Sequence, residues 1–338
     1  MVARMVTKRT NKLLGPAVVF LLIGAIALIL HLMQPYVGRL ELRRPIQESA
    51  AVAISGSTGY PRRVTDQDRR QITIPQPTKR VASQYWSIDE LLYAVLPPEY
   101  VVGVSEYAYD SGTSNVLEFA HAFRPTVIAN PEAVFTARPD LVFVSSSARA
   151  DLTDLLRQAG VPTYRMFTNY VTVDEIAANI LLTGYLTGQD QRASDVHSKF
   201  RLAILKAAAR RPGGVPAPRV LGYSGRYTYG SQTSFNDVLR ILGATNVAAE
   251  HGIRGYEAVA SEQILRWNPE WLISRADPGQ GDATLQRLLL DPAIALTEAA
   301  QKKQVLVLDN NVFLPMSPFT TRLIEVLSEA FYGNTSGS

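Results

Sequence analysis

From residue 79 onward, short apolar runs alternate with stretches whose apolar positions recur every three to four residues. That alternation predicts strands separated by helices, hence a parallel sheet covered on both faces. The predicted strands of the first half are 80–84, 101–105, 126–128, 141–145 and 162–166, with helices at 87–96, 115–121, 131–137 and 149–159 between them. The second half predicts strands 219–223, 246–248, 271–274 and 304–308, with helices 234–242, 261–267, 282–290 and 318–331. A helix over 173–187 precedes an amphipathic one over 189–211. In the latter, Val196, Phe200, Ala203, Ile204 and Ala207 share a face, and Pro212-Gly213-Gly214 stops it. A helix of that length spans about 33 Å.

Similar text lies on both sides of this long helix. Before it, Glu132 precedes Pro139-Asp140 and an apolar run by seven residues; after it, Glu262 precedes Pro269-Glu270 and another by the same interval. Each reads as two helical turns, a proline stop and a buried strand. Upstream, Lys79–Ser83 leads to Asp89–Leu96, and Pro218–Gly222 leads to Asn236–Gly243, both as strand, loop and capped helix. Two matches in one order predict two similar lobes, 79–168 and 213–333, joined by a connector and linker helix over 169–212.

The remaining segments are of other kinds. Residues 13–33 carry no Asp, Glu, Lys or Arg, and at about 31 Å they are long enough to span a bilayer. Arg4, Lys8, Arg9 and Lys12 precede them, which places the N-terminus in the cytoplasm and the rest outside. The run reads as an anchor, with a cleaved signal as its rival. Segment 1–36 is thus a basic tail and membrane segment. Segment 37–78 is a linker ending in a hairpin at 63–65 and 71–74, and 334–338 is a polar tail.

The formal net charge is +4, and the four basic residues of the tail supply it. The basic pI therefore does not predict a nucleic-acid surface. There is no cysteine, which excludes disulfides, thiolate catalysis and Cys-ligated metals. No phosphate loop and no His-Glu-x-x-His occurs, and the four histidines are scattered, so neither a catalytic set nor a bare metal site is predicted.

Ligands of open α/β sheets bind beyond the carboxyl ends of the strands. The residues there are rich in aromatics with a polar tip: Tyr85, Trp86, Tyr107, Tyr109, Tyr227, Tyr229 and Tyr256, with Phe313, and with Arg226 and Arg254 as candidate anion partners. Such a lining suits a flat or bulky organic ligand, including one that carries a metal.

The ordered segments Arg80–Ser83, Asp89–Tyr93, Val101–Ser105, Glu132…Arg138–Val142, Leu155…Gly160–Pro162 and Ser261-Glu262…Asn268-Pro269 resemble the substrate-binding proteins of ABC importers for iron complexes and cobalamin. Residues 65–74 resemble their opening hairpin, and the likeness covers about 62–333. The resemblance implies two Rossmann-like lobes on one long helix (a class III periplasmic binding protein), slight closure around the ligand, and an exposed Glu on each lobe, Glu132 and Glu262, docking on arginines of an ABC permease. It implies no cofactor; the cargo, a ferric siderophore, haem or cobalamin, brings its own iron or cobalt. It places the chain on the outer face of the cytoplasmic membrane, or secreted if cleaved. Two rivals use the same architecture: a chelatase-like metal or tetrapyrrole enzyme, and a membrane-tethered ligand sensor.

Overall fold

The structure, a computed structural model, describes residues 59–128, 130–148 and 150–333. They belong to a compact unit, Pro45–Ser338. The predicted membrane segment 13–33 and the tail 334–338 lie outside the described residues. Among the described residues no helix is long and apolar enough to cross a membrane.

Strands β1 (Arg62–Thr65) and β2 (Gln71–Ile74) form the antiparallel opening hairpin. Buried Arg62 fastens it to the body, donating to the Tyr185 carbonyl at 2.6 Å and to the Asp190 carboxylate at 2.7 Å. The first lobe follows with β3 (Val81–Ser83), α1 (Trp86–Val95), β4 (Val101–Val104), α2 (Leu117–Phe123), β5 (Thr126–Val127), α3 (Pro131–Ala137), β6 (Leu141–Ser145), α4 (Ala150–Gln158) and β7 (Thr163–Met166). All pairings are parallel, in the order β5-β4-β3-β6-β7. The central strand β3 and its neighbour β6 are buried at every position, as a sheet covered on both faces requires.

Two helices then cross to the second lobe. The first, α5 (Val173–Thr187), starts on a capping box between Thr172 and Glu175 and ends at Gly188 in the left-handed region. The second, α6 (Asp190–Ala208), buries Ala193, Phe200, Ile204 and Ala207. It ends three residues before the predicted stop. Arg210 and Arg211 bond back only three residues, to Ala207 and Ala208, so the last turn tightens out of α geometry. One apolar cluster runs from α1 through α5 and α6 into the second lobe, so the lobes share a core.

The second lobe contains β8 (Arg219–Ser224), β9 (Tyr227–Tyr229), α7 (Ser234–Ile241), β10 (Thr245–Asn246), α8 (Val247–Glu250), β11 (Tyr256–Ala258), α9 (Ser261–Trp267), β12 (Trp271–Ala276) and α10 (Gly281–Leu290). It closes with α11 (Pro292–Ala295), α12 (Glu298–Gln301), β13 (Val305–Asp309), α13 (Asn310–Phe313) and α14 (Thr320–Tyr332). The sheet order is β11-β9-β8-β12-β13, with β10 also on β8. Two of its five strand pairings correct the all-parallel expectation. Gly225, at φ 66°, lets the chain turn back so that β9 pairs antiparallel with β8, and β11 with β9. The strand expected at 246–248 is present one residue earlier and shorter, as β10, because Asn246 accepts from the Ala248 N–H and caps the one-turn helix α8.

The duplication extends to hydrogen bonds. Asp140 accepts from the Arg80 N–H at 3.1 Å, and Glu270 from the Arg219 N–H at 3.0 Å. The guanidinium of Arg80 donates to the last carbonyls of α3, Ala137 and Arg138, and that of Arg219 to those of α9, Trp267 and Asn268. Arg138 and Asn268 both sit at φ 45°. In each lobe the acid after the proline therefore caps the first strand, and that strand's leading arginine caps the helix.

Candidate functional site

Each lobe presents a cavity at the carboxyl ends of its strands. The first-lobe cavity, about 1000 Å³, is built by the segments after β3 (Gln84, Tyr85), β4 (Ser105, Glu106, Tyr107) and β6 (Ser145, Ser147), with Asp154 of α4. Its lining is mixed: Ile128, Pro131 and Leu155 stand beside serines, glutamines and two carboxylates, with no cation among them. Asp89, wholly buried in the first turn of α1, sets its geometry. It accepts from the Ser83 and Ser105 hydroxyls and from the Ser105 N–H at 3.2 Å, so it ties the ends of β3 and β4 together. Burial pushes its carboxyl up to about 7, against the pull of those hydrogen bonds.

The second-lobe cavity, about 380 Å³, is aromatic. Tyr229 is its centre: its ring centroid lies 5.2 Å from Phe313, 5.5 Å from Tyr256 and 5.6 Å from Phe235. These spacings are those of tilted and edge-on aromatic pairs. Tyr256 is 56% exposed as a residue. Its hydroxyl is nevertheless enclosed enough for burial to raise its pKa, with Tyr229 and Tyr85 adding to the rise. Tyr85 belongs to the first lobe, so the two linings approach one another at this point.

The lobes are also joined by a polar clasp. Glu90, 2% exposed on α1, accepts from Asn115 Nδ2 at 2.7 Å and from the Ser317 hydroxyl at 2.6 Å. Asn115 also donates to the Asn311 carbonyl at 2.8 Å and accepts from Arg322 at 2.6 Å. Burial pushes Glu90 up to about 7, opposed by the two hydrogen bonds and by Arg322.

Of the ten residues expected at the ligand, six line these cavities: Tyr85 and Tyr107 in the first, Tyr227, Tyr229, Tyr256 and Phe313 in the second. Four line neither. The Tyr109 hydroxyl donates to the Ala120 carbonyl at 3.1 Å, and its ring packs edge-on against His121, which ties it to α2. Trp86 enters the first turn of α1. Arg226 occupies the β8–β9 turn with its guanidinium over the Tyr227 ring, and Arg254 is exposed beside β11. Arg275 was missed. It lies inside the apolar-looking run of β12, yet its side chain lines the aromatic cavity and a polar one next to it.

Glu132 and Glu262 are both exposed, each at the second position of a seven-residue helix. Among the described residues no group of three His, Cys, Asp or Glu gathers at metal-binding distance.

The model of the family described as Periplasmic binding protein matches residues 81–312. The chain belongs to the periplasmic binding protein family. This binding protein is 24% identical to the cobalamin-binding protein of Halobacterium salinarum over 302 residues, 88% of this chain and 80% of that one. It is 24% identical to the Fe(3+) dicitrate-binding periplasmic protein FecB of Escherichia coli, over 55% of this chain and 61% of that one. Among solved structures, the periplasmic heme-binding protein RhuT from Roseiflexus sp. RS-1 superposes with a TM-score of 0.64 at 23% identity, covering 76% of this chain and 98% of that one. At that identity the likeness is one of fold.

Proposed function

We propose that this chain is the extracytoplasmic substrate-binding protein of an ABC importer, and that it captures a metal chelate with a flat organic face, a haem or a corrinoid, between its lobes. The observation that carries this reading is the aromatic cavity of Tyr229, Tyr256, Phe235 and Phe313, approached by Tyr85 of the first lobe's cavity. Aromatic faces hold an organic surface, so the cargo is the whole chelate rather than a bare ion. The names of relatives that bind cobalamin, ferric dicitrate and heme support the same class of cargo. A ferric siderophore fits the family equally, but the four aromatic rings offer the broad apolar contact that a tetrapyrrole body needs.

The protein does no chemistry on its ligand in this reading. Glu132 and Glu262 are the handles that dock on basic residues of the permease, and residues 13–33 hold the protein to the membrane or are cleaved after export. The test has two arms. Haemin and cyanocobalamin are titrated into the purified chain while tryptophan fluorescence is followed, and quenching by one of them is expected. Glu132→Ala with Glu262→Ala is then introduced into cells, where uptake is expected to fall while ligand binding by the purified variant stays. Absence of quenching by either compound removes the ligand reading, and unchanged uptake removes the docking reading.

A further inference from the structure

Arg275 stands between two unlike cavities. On one side lies the aromatic cavity. On the other lies a polar one of about 390 Å³, formed with Asp277, Gln280, Thr284, Arg287 and Asn310. The guanidinium is aimed by fixed neighbours. Nη1 donates to Asn310 Oδ1 at 2.7 Å, and Nε lies 3.4 Å from the Tyr229 hydroxyl. Asn310 is 5% exposed and is itself held, because its amide donates to Asp277 Oδ1 at 2.6 Å. A planar fork tethered in this way keeps N–H groups for an incoming oxygen at little entropic cost.

The far wall repeats the polarity. Arg287 donates to the Thr284 hydroxyl at 2.9 Å, and both residues lie on α10. That helix begins beside the cavity at Gln280, whose side chain makes no capping bond. Two guanidinium groups, that of Arg287 on an exposed residue, face a single lining carboxylate, Asp277, one of whose oxygens already accepts from Asn310, while Asp282 in the first turn of α10 offsets the helix dipole. The local balance of the lining is two positive charges against one negative.

We propose that this polar cavity is an anion subsite, and that it receives a carboxylate or phosphate arm of the ligand whose flat body lies on the aromatic cavity. The proposal rests on the functional reading above and narrows it: the cargo is amphipathic, with an anionic arm at one edge. Arg275 guides the arm past the aromatic wall, and Arg287 with Thr284 meets its end.

The test uses paired compounds and the full chain. Haemin is compared with its dimethyl ester, and cobalamin, which carries a phosphate, with cobinamide, which lacks it. Arg287→Gln leaves the aromatic cavity untouched and is the main variant; Arg275→Gln is the second. Loss of one charge-assisted hydrogen bond weakens binding by about tenfold. Arg287→Gln is expected to weaken haemin or cobalamin by about that factor while the arm-less partner binds as it does to the wild type. Equal weakening of both members of a pair, or of neither, overturns the proposal. A second readout needs no organic ligand: millimolar phosphate should raise the melting temperature above that in sodium chloride of equal ionic strength, and Arg287→Gln should abolish the rise. A phosphate effect combined with equal binding of acid and ester means a free anion occupies the cavity, which overturns the arm. If no tetrapyrrole binds but the phosphate effect persists and depends on Arg287, the functional reading falls and the anion cavity stands. If the phosphate effect is absent as well, both fall.

Discussion

Replacing Glu90 by glutamine should flatten the pH dependence of stability. The carboxyl is buried where the lobes meet, and its pKa rises from 4.5 to about 7 because burial disfavours its charge more than Ser317 and Asn115 favour it. An acid whose folded pKa lies above its unfolded one binds its proton more tightly in the folded state. The stability from that proton is fully present below 4.5 and is lost as pH rises through about 7. At about 1.4 kcal/mol per pKa unit, the shift is worth about 3 kcal/mol. Asp89 is also raised to about 7 and adds a loss in the same window, part of it caused by repulsion from Glu90. Glutamine keeps the clasp, since its oxygen can accept from Asn115 and its amide can donate to the Ser317 hydroxyl. Urea unfolding below 4.5 and above 7 measures the difference. The wild type should lose about 3 kcal/mol more than Glu90→Gln between the two conditions. Parallel profiles for the two proteins would refute the account, because they would mean that Glu90 carries the same charge in the folded and the unfolded chain.

Two other substitutions probe the frame around the cleft. A Cβ on Gly222 would stand 2.7 Å from both the Phe235 and Tyr229 rings, so Gly222→Ala should displace the aromatic cluster and weaken ligand binding by about tenfold; unchanged affinity would mean these rings do not contact the ligand. Arg62→Ala removes the buried guanidinium that holds the Tyr185 carbonyl and Asp190, and should cost about 3 kcal/mol in chemical denaturation. A loss below about 1 kcal/mol would show that the hairpin is held by its apolar contacts instead.

The chain's own text determined the elements whose signals are local. Helix α5 matches its predicted range because a threonine–glutamate capping box and a glycine stop mark its ends. Strand β6 and helices α3 and α9 match theirs because a proline or a left-handed residue bounds an apolar run. The repeated Glu–Pro–acid text likewise announced two sibling lobes, and the matched bonds of Arg80 and Arg219 give it a physical cause. What the sequence left open depended on partners distant in the chain. Strands β9 and β11 are only three residues each, too short for their alternation to stand out; they exist because they pair with each other beside β8. That pairing brings Tyr229 and Tyr256 to Phe313, whereas Tyr109 is turned towards α2. Arg275 could be recognised only once β12, α10 and α13 were in place, because a side chain's neighbours across a sheet are set by register and crossing, and neither is written in any short stretch of residues.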